Sequence, residues 1–104
     1  QPLMEAAQEC ADRHYTWHHN REECEAVIQA GYPYGFGSNL TVFTGTAEST
    51  IAQKAVDNWV QSPGHYRTMM DAECDSIGVG IAVDRGITYC YLFVGNPNTH
   101  NPYG

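Results

Sequence analysis

Residues 77–83 alternate strictly between branched apolar side chains and very small ones. The branched set is Ile77, Val79, Ile81 and Val83, and the small set is Gly78, Gly80 and Ala82. Side chains of a β-strand point alternately to its two faces, so this segment predicts a strand with one apolar face and one bare face. A bare face lets a helix approach the sheet closely. The pattern therefore favours a fold in which helices pack on a sheet.

The residues after this strand predict a hairpin. Asp84-Arg85-Gly86 suits a three-residue turn in which Gly86 adopts a positive φ, and residues 87–94 form the returning strand. A three-residue turn pairs Val83 with Ile87 and Gly80 with Cys90. This register places Cys90 on the bare face, beneath the covering helix.

The rest of the chain predicts helices with one extended segment between them. The apolar spacing in the first twenty residues indicates a helix, and a polar stretch at 21–25 precedes two helical turns at 26–30. A breaker-rich loop at 31–38 leads into a short strand at 39–44. A further helix presents one apolar face, ends at Ser62-Pro63-Gly64 and is followed by a short turn; its face is Ile51, Ala55, Val56, Trp59 and Val60. The tail from Gly95 is expected to run over the surface. The sum is an α+β fold with a small antiparallel sheet flanked by helices.

The length and charge of the chain limit the number of domains and the classes of partner that we expect. The chain has 104 residues, which predicts a single domain over residues 1–104. Its formal charge is −7 and Lys54 is its only lysine, which disfavours nucleic acid and anionic membranes as partners. We expect no membrane span, because no apolar run approaches about 20 residues. No signal peptide is recognisable, so we expect a mature or trimmed form.

The four cysteines form no Cys-x-x-Cys pair, which disfavours a zinc ribbon or a thioredoxin-type site. An even number in a small domain favours two disulfides and an oxidising compartment; four buried free thiols are the alternative. In the predicted register Cys74 lies about 20 Å from the position opposite Cys90, which disfavours that pair. We prefer Cys10–Cys90 with Cys24–Cys74, although four cysteines allow three pairings. Asn39-Leu40-Thr41 is also a glycosylation sequon.

Three segments resemble the CAP superfamily, which comprises cysteine-rich secretory proteins, antigen 5, pathogenesis-related-1 proteins and bacterial SCP-like relatives. Residues 55–67 read Ala-Val-Asp-Asn-Trp-Val-Gln-Ser-Pro-Gly-His-Tyr-Arg, residues 77–82 read Ile-Gly-Val-Gly-Ile-Ala, and residues 89–95 read Tyr-Cys-Tyr-Leu-Phe-Val-Gly. His19 and Arg21 resemble the family's His-Thr-Arg loop. Gly37-Ser38-Asn39-Leu40 stands where the family has Gly-Glu-Asn-Ile/Leu. The resemblance covers about residues 3–96, and it implies a short member that lacks the family's usual first helix.

The resemblance implies an α-β-α sandwich whose central cleft carries two histidines and two acidic residues, and which holds a divalent metal in some members. Matched position by position, the histidines are His19 and His65, whereas the two acidic positions hold Ser38 and Ser62. Zinc is thus the candidate cofactor, with His19 and His65 as its candidate ligands. Three or four protein ligands are the norm for zinc, so two imidazoles make a poor site. The acidic residues at 22, 23 and 25 are interpreted as a solvated edge.

The function we predict is that of a secreted, non-enzymatic CAP/SCP-like module that binds through the cleft of His19, Ser38, Ser62 and His65. The resemblance implies a lipid, a sterol or a protein partner as its ligand. A metal-assisted hydrolase or peptidase using the two histidines is the alternative, and a vestigial cleft is a third. Neither serine lies in a Gly-x-Ser-x-Gly pattern, which disfavours nucleophilic catalysis. Ser62 has an equally good interpretation as a cap for the turn before Pro63. Oligomeric state is open.

Overall fold

The computed structural model describes residues 1–16 and 20–104. It contains four α-helices and three strands within these residues. In chain order they are α1 (Pro2–Asp12), α2 (Arg21–Gln29), β1 (Tyr34–Thr44), α3 (Ile51–Val60), α4 (Pro63–Met69), β2 (Ser76–Asp84) and β3 (Ile87–His100). A single 3-10 turn, Glu48–Thr50, leads into α3.

The three strands form one antiparallel sheet with the order β1-β3-β2. Apolar side chains from α1 and α2 pack on one face of β3, around Tyr91 and Phe93. Side chains from α3 pack on the other face, around Leu92 and Val94. The predicted α+β architecture, with helices on both sides of a small antiparallel sheet, is confirmed.

The bare face of β2 receives α1, as the alternation predicts. A Cβ atom built on Gly78 would lie 2.2 Å from the carbonyl carbon of Leu3, and one on Gly80 would lie 2.3 Å from that of Ala7. Real Cβ atoms do not approach backbone atoms so closely. Glycine at these two positions is therefore what allows the backbone of α1 to rest on the strand.

The predicted hairpin register is wrong by one residue. Asp84 pairs with Ile87, and Ile81 pairs with Cys90. The turn has two central residues, because Arg85 joins Gly86 at positive φ (53° and 77°), as a type I′ turn requires. A shift of one residue moves a side chain to the opposite face. Cys90 therefore lies on the α3 face and not beneath α1.

The first helix is shorter than predicted. It ends at Asp12, after which His14 adopts a φ of 57° and the Tyr15 N–H donates to the Cys10 carbonyl oxygen at 3.1 Å. This left-handed residue closes the helix in the way glycine usually does. The remainder of the predicted helix includes residues 17–19, which lie outside the described residues.

Two segments predicted as irregular belong to regular elements. The polar stretch at 21–25 is the start of α2, where the Asn20 side chain caps the helix by accepting from the Glu23 N–H at 2.9 Å. At the other end, β3 continues to His100, and the Asn101 side chain is buried and donates to the Cys24 carbonyl oxygen at 3.0 Å. The tail is thus held against α2. The loop predicted at 31–38 is likewise mostly strand, since β1 begins at Tyr34.

Two glutamine side chains, one in α1 and one at its N-cap, form hydrogen bonds with backbone groups of the edge strand β2. Gln8 donates to the Ile81 carbonyl oxygen at 2.8 Å and accepts from the Ile81 N–H at 3.2 Å. Gln1 donates to the Ile77 carbonyl oxygen. These contacts use groups through which an edge strand would otherwise pair with another chain. In the described part of the chain, none of the helices has the length and apolarity needed to cross a membrane.

Candidate functional site

Ser38 lies on β1 and faces α2, where its hydroxyl donates to the Glu23 carboxylate at 2.7 Å. Glu23 is fully buried, and Ser38 is only 7% exposed. The interpretation of Glu23 as part of a solvated edge is therefore wrong. The helix α2 already includes the residues assigned to that edge, and Glu23 lies on its buried face together with Cys24 and Val27.

The buried carboxylate affects its neighbours electrostatically. Burial raises the pKa of the Cys10 thiol to about 12, and the negative charge of Glu23 adds to that rise. Burial followed by the Glu23 charge also raises the pKa of Cys24 and of Tyr91. The Tyr91 hydroxyl remains protonated and donates to the Tyr15 carbonyl oxygen at 2.9 Å. The interior beside Ser38 thus holds one carboxylate among groups that stay neutral.

Asn39, the next residue along β1, points to the opposite face of the sheet and is fully buried. Its side-chain amide donates to the backbone carbonyl oxygen of His65 at 2.9 Å. This bond fixes the start of α4 against β1. His65 and Ser62 lie half-buried at the junction of α3 and α4.

Ser62 holds the N-cap position of α4, and its carbonyl oxygen accepts from the Tyr66 N–H at 2.8 Å. Its side chain makes no capping hydrogen bond to the residues described. The interpretation of Ser62 as a cap for this turn therefore holds for its backbone and not for its hydroxyl.

We call Glu23, Ser38, Asn39, Ser62 and His65 the β1 seam, because hydrogen bonds of Ser38 and Asn39 tie α2 and the start of α4 to β1. Glu23 lies on one face of the sheet, bonded to Ser38, and the backbone of His65 lies on the other, bonded to Asn39. His19, the fourth residue predicted for the cleft, lies outside the described residues.

The described residues do not by themselves form a zinc site. Over residues 1–16 and 20–104, no three His, Cys, Asp or Glu side chains come together in a way that would hold a metal. Zinc sites in proteins use at least three such ligands. Glu23 is the one carboxylate of the β1 seam, and it is buried behind Ser38.

Glu23 and Asn39 are the seam residues that sequence reasoning missed. A signal for Glu23 was present, because Asn20 followed three residues later by a glutamate is typical of a helix N-terminus. With the helix begun there, Glu23 falls on the same side as Cys24 and Val27, which are buried. The sequence identifies Asn39 only as a glycosylation acceptor. No sequence pattern predicts that its amide donates to the His65 carbonyl oxygen.

We expect Asn39→Ala to lower the free energy of unfolding by about 1–2 kcal/mol, because it removes a buried hydrogen bond and the packed amide that makes it. Urea denaturation followed by circular dichroism measures the change. Asn98→Ala is the control, since Asn98 is exposed. Equal stability of the two variants would contradict the role assigned to Asn39. The same burial leaves no room for a glycan on Asn39 in the folded chain.

The four cysteines are free thiols that lie on both faces of the sheet. Cys10 and Cys24 belong to the cluster beneath α1 and α2, whereas Cys90 belongs to the α3 cluster with Cys74 packed against it. Each predicted pair, Cys10–Cys90 and Cys24–Cys74, joins residues from different clusters. The Cys10–Cys90 pair was argued from the hairpin register that the structure corrects. The structure therefore supports neither predicted pair.

Native thiols should react slowly with Ellman's reagent at pH 8. Burial raises the pKa of Cys90 to about 11 and that of Cys74 to about 11, and Cys10 is higher still, so little of the reactive thiolate exists at that pH. All four should react once the protein is unfolded without reductant. Absence of free thiols in the unfolded protein would show instead that disulfides form.

Comparison with known proteins supports the resemblance seen in the sequence. A family model described as the cysteine-rich secretory protein family, CAP, matches residues 2–96. Among solved structures, an outer surface protein from Borrelia burgdorferi aligns with a TM-score of 0.64 at 14% identity, covering 92% of this chain and 74% of that one. At this identity the likeness concerns the fold alone. Comparison with curated proteins gives no significant match.

Proposed function

The chain belongs to the cysteine-rich secretory protein (CAP) family, and we propose that it is a non-enzymatic binding module whose ligand contacts the β1 seam. The observation that carries this proposal is the bond between Ser38 and Glu23. The Ser38 hydroxyl donates its one proton to a carboxylate, and that carboxylate is fully buried. Ser38 is itself only 7% exposed, so its hydroxyl is not presented to a substrate as a nucleophilic serine must be.

The other polar groups of the β1 seam support the same proposal. The Asn39 amide is used to hold the His65 backbone, which positions the imidazole-bearing turn beside the edge of β1. Half-buried Ser62 and His65 bring a hydroxyl and an imidazole to the start of α4. Such groups suit recognition of a ligand that presents hydrogen-bonding atoms beside an apolar body. A lipid, a sterol or a protein partner has that character.

We place the module outside the cell or on its surface. Family membership supports this location, and the similar fold from Borrelia burgdorferi is described as an outer surface protein. The free thiols of the structure neither require nor oppose it, since all four are buried or half-buried and resist oxidation.

A metal-assisted hydrolase is the second candidate, and one observation favours it. Glu23 brings a carboxylate to Ser38, the position where the family pattern has its own acidic residue. The pair lies on the β1 seam with His65. Such an enzyme would need the seam to gather three metal ligands and an open position for water.

Binding of two fluorescent probes tests the proposal: dansyl-labelled undecanoic acid and the sterol dehydroergosterol. We expect one of them to bind with a Kd of about 10 μM, equivalent to roughly −7 kcal/mol. His65→Ala should weaken that binding about tenfold, whereas His100→Ala, an exposed histidine at the end of β3, should leave it unchanged. Failure of both probes to bind, or equal affinity in all three proteins, would contradict a small-ligand site at the β1 seam.

A further inference from the structure

Two polar groups in the layer between the sheet and α3 have no hydrogen-bond partner among the residues described. They are the indole N–H of Trp59 and the side-chain oxygen Oδ1 of Asn39. Trp59 is 2% exposed and Asn39 is fully buried, so solvent does not reach either group. Buried polar groups are nearly always hydrogen-bonded in folded proteins, and an exception calls for a physical reason.

The two groups lie on the same face of the sheet. Asn39 of β1 pairs with Leu92 of β3, and Trp59 packs in the cluster that contains Leu92. Both residues are also tied to the junction of α3 and α4. The Ser62 N–H donates to the Trp59 carbonyl oxygen at 3.2 Å, and the Asn39 amide nitrogen Nδ2 donates to the His65 carbonyl oxygen at 2.9 Å. The donor and the acceptor therefore lie beneath one junction.

The chemistry of the two groups is complementary. The His65 carbonyl oxygen can only accept, so the end of the Asn39 amide that faces it must be the NH2 group. Oδ1 is then the other end of the amide, and it can only accept a hydrogen bond. The Trp59 indole N–H can only donate one. A ligand group that satisfies both must accept and donate at the same place.

The helix over this junction buries little of its surface. All seven residues of α4 remain at least partly exposed, and so does Ser62 before it. By contrast, α3 buries Ile51, Ala55 and Trp59. Elements with few buried apolar contacts open at the lowest free-energy cost. Helix α4 is therefore the element that moves aside to admit a ligand to Trp59 and Asn39.

We propose that this site binds the hydroxyl group of an otherwise apolar ligand, an aliphatic alcohol. The hydroxyl oxygen accepts from the Trp59 indole N–H, and the hydroxyl proton is donated to Asn39 Oδ1. A carboxylate cannot donate to Oδ1 and loses its hydration on burial, an ammonium group cannot accept from the indole, and an ether cannot donate. The surroundings suit an apolar body, because Ile51, Leu92 and Val94 pack in the cluster of the indole. This inference rests on the proposed function, since it names the polar group of the ligand proposed for the β1 seam.

Calorimetric titration of the wild-type chain with 1-decanol, decyl methyl ether and decanoic acid tests the inference at pH 7, where the acid is ionised. The ether is the more apolar of the first two compounds, so its weaker binding cannot result from a smaller apolar area. Trp59→Phe removes the donor. Tyr103→Phe is the matched control, because it also removes one hydrogen-bonding group from an aromatic ring, at a residue that is 52% exposed. Proton–nitrogen NMR follows the indole N–H signals of the two tryptophans, and Trp59→Phe identifies the signal of Trp59.

We expect decanol to bind about tenfold more tightly than the ether and the acid, and to move the Trp59 indole proton signal downfield, as hydrogen bonding does. Trp59→Phe should weaken decanol binding about tenfold, and Tyr103→Phe should leave it unchanged. Absence of decanol binding, equal affinity for the three compounds, or equal affinity of Trp59→Phe and the wild-type chain would overturn the inference. Should dansyl-undecanoic acid or dehydroergosterol still bind in that case, the binding module stands and the hydroxyl site alone fails. Failure of every probe would overturn both proposals.

Discussion

Gly80→Ala should lower the free energy of unfolding by about 3 kcal/mol, the upper range for forcing an atom into a packed interior. The new methyl carbon would lie 2.3 Å from the carbonyl carbon of Ala7 and 2.3 Å from the backbone nitrogen of Gln8. Neither atom belongs to a flexible side chain, so α1 itself must move away from β2. Urea denaturation followed by circular dichroism and by tryptophan fluorescence gives the stability of each protein.

Gly64→Ala is the matched control, because a Cβ atom at Gly64 meets nothing within 4 Å. Gly64 lies in the first turn of α4, where alanine is the better helix former, so this variant should be unchanged or more stable by up to about 1 kcal/mol. If Gly80→Ala were as stable as Gly64→Ala, the close approach of α1 to the strand would be contradicted.

Trp59→Ala should cost about 4 kcal/mol, in the range found for removing a large buried ring. Trp59 is 2% exposed and packs with Ile51 and Ala55 in the cluster that attaches α3 to the sheet. Its loss should also weaken binding at the β1 seam, because α3 leads directly into α4, which carries His65. Denaturation and the binding assays above measure the two effects.

Trp59→Phe separates ring packing from hydrogen bonding. The buried indole N–H finds no hydrogen-bond acceptor among the residues described. Phenylalanine removes that N–H and keeps most of the apolar area, so this variant should lose less than half as much stability as Trp59→Ala. Equal losses in the two variants would show that the indole N–H has a partner and is needed.

The sequence predicts those parts of the fold that rest on local pattern. The alternation of β2 and the apolar spacing of α3 depend on periodicity alone, and both elements are present. The glycines of β2 predict a helix lying close against it, and α1 does so. The three segments that resemble the CAP superfamily also predict family membership correctly, since the family model matches residues 2–96.

The sequence fails where one residue takes an unusual conformation. His14 and Arg85 adopt positive φ, which is uncommon for residues other than glycine, so neither the end of α1 nor the two-residue turn was predicted. The error in the turn placed Cys90 on the wrong face of the sheet, and the argument for a Cys10–Cys90 disulfide depended on that placement. Glu23 was misplaced because a glutamate is almost never fully buried unless it is paired, and its partner Ser38 lies fifteen residues away.

Calorimetric titration with Zn²⁺ tests most directly whether the β1 seam is a binding surface or the remains of a metal centre. The wild-type chain is compared with the His19→Ala/His65→Ala double variant, after circular dichroism has shown that both are folded. We predict no binding tighter than about 10 μM, or roughly −7 kcal/mol, in either protein. Tighter binding to the wild-type chain that disappears in the double variant would contradict this account and establish a metal site that uses both histidines.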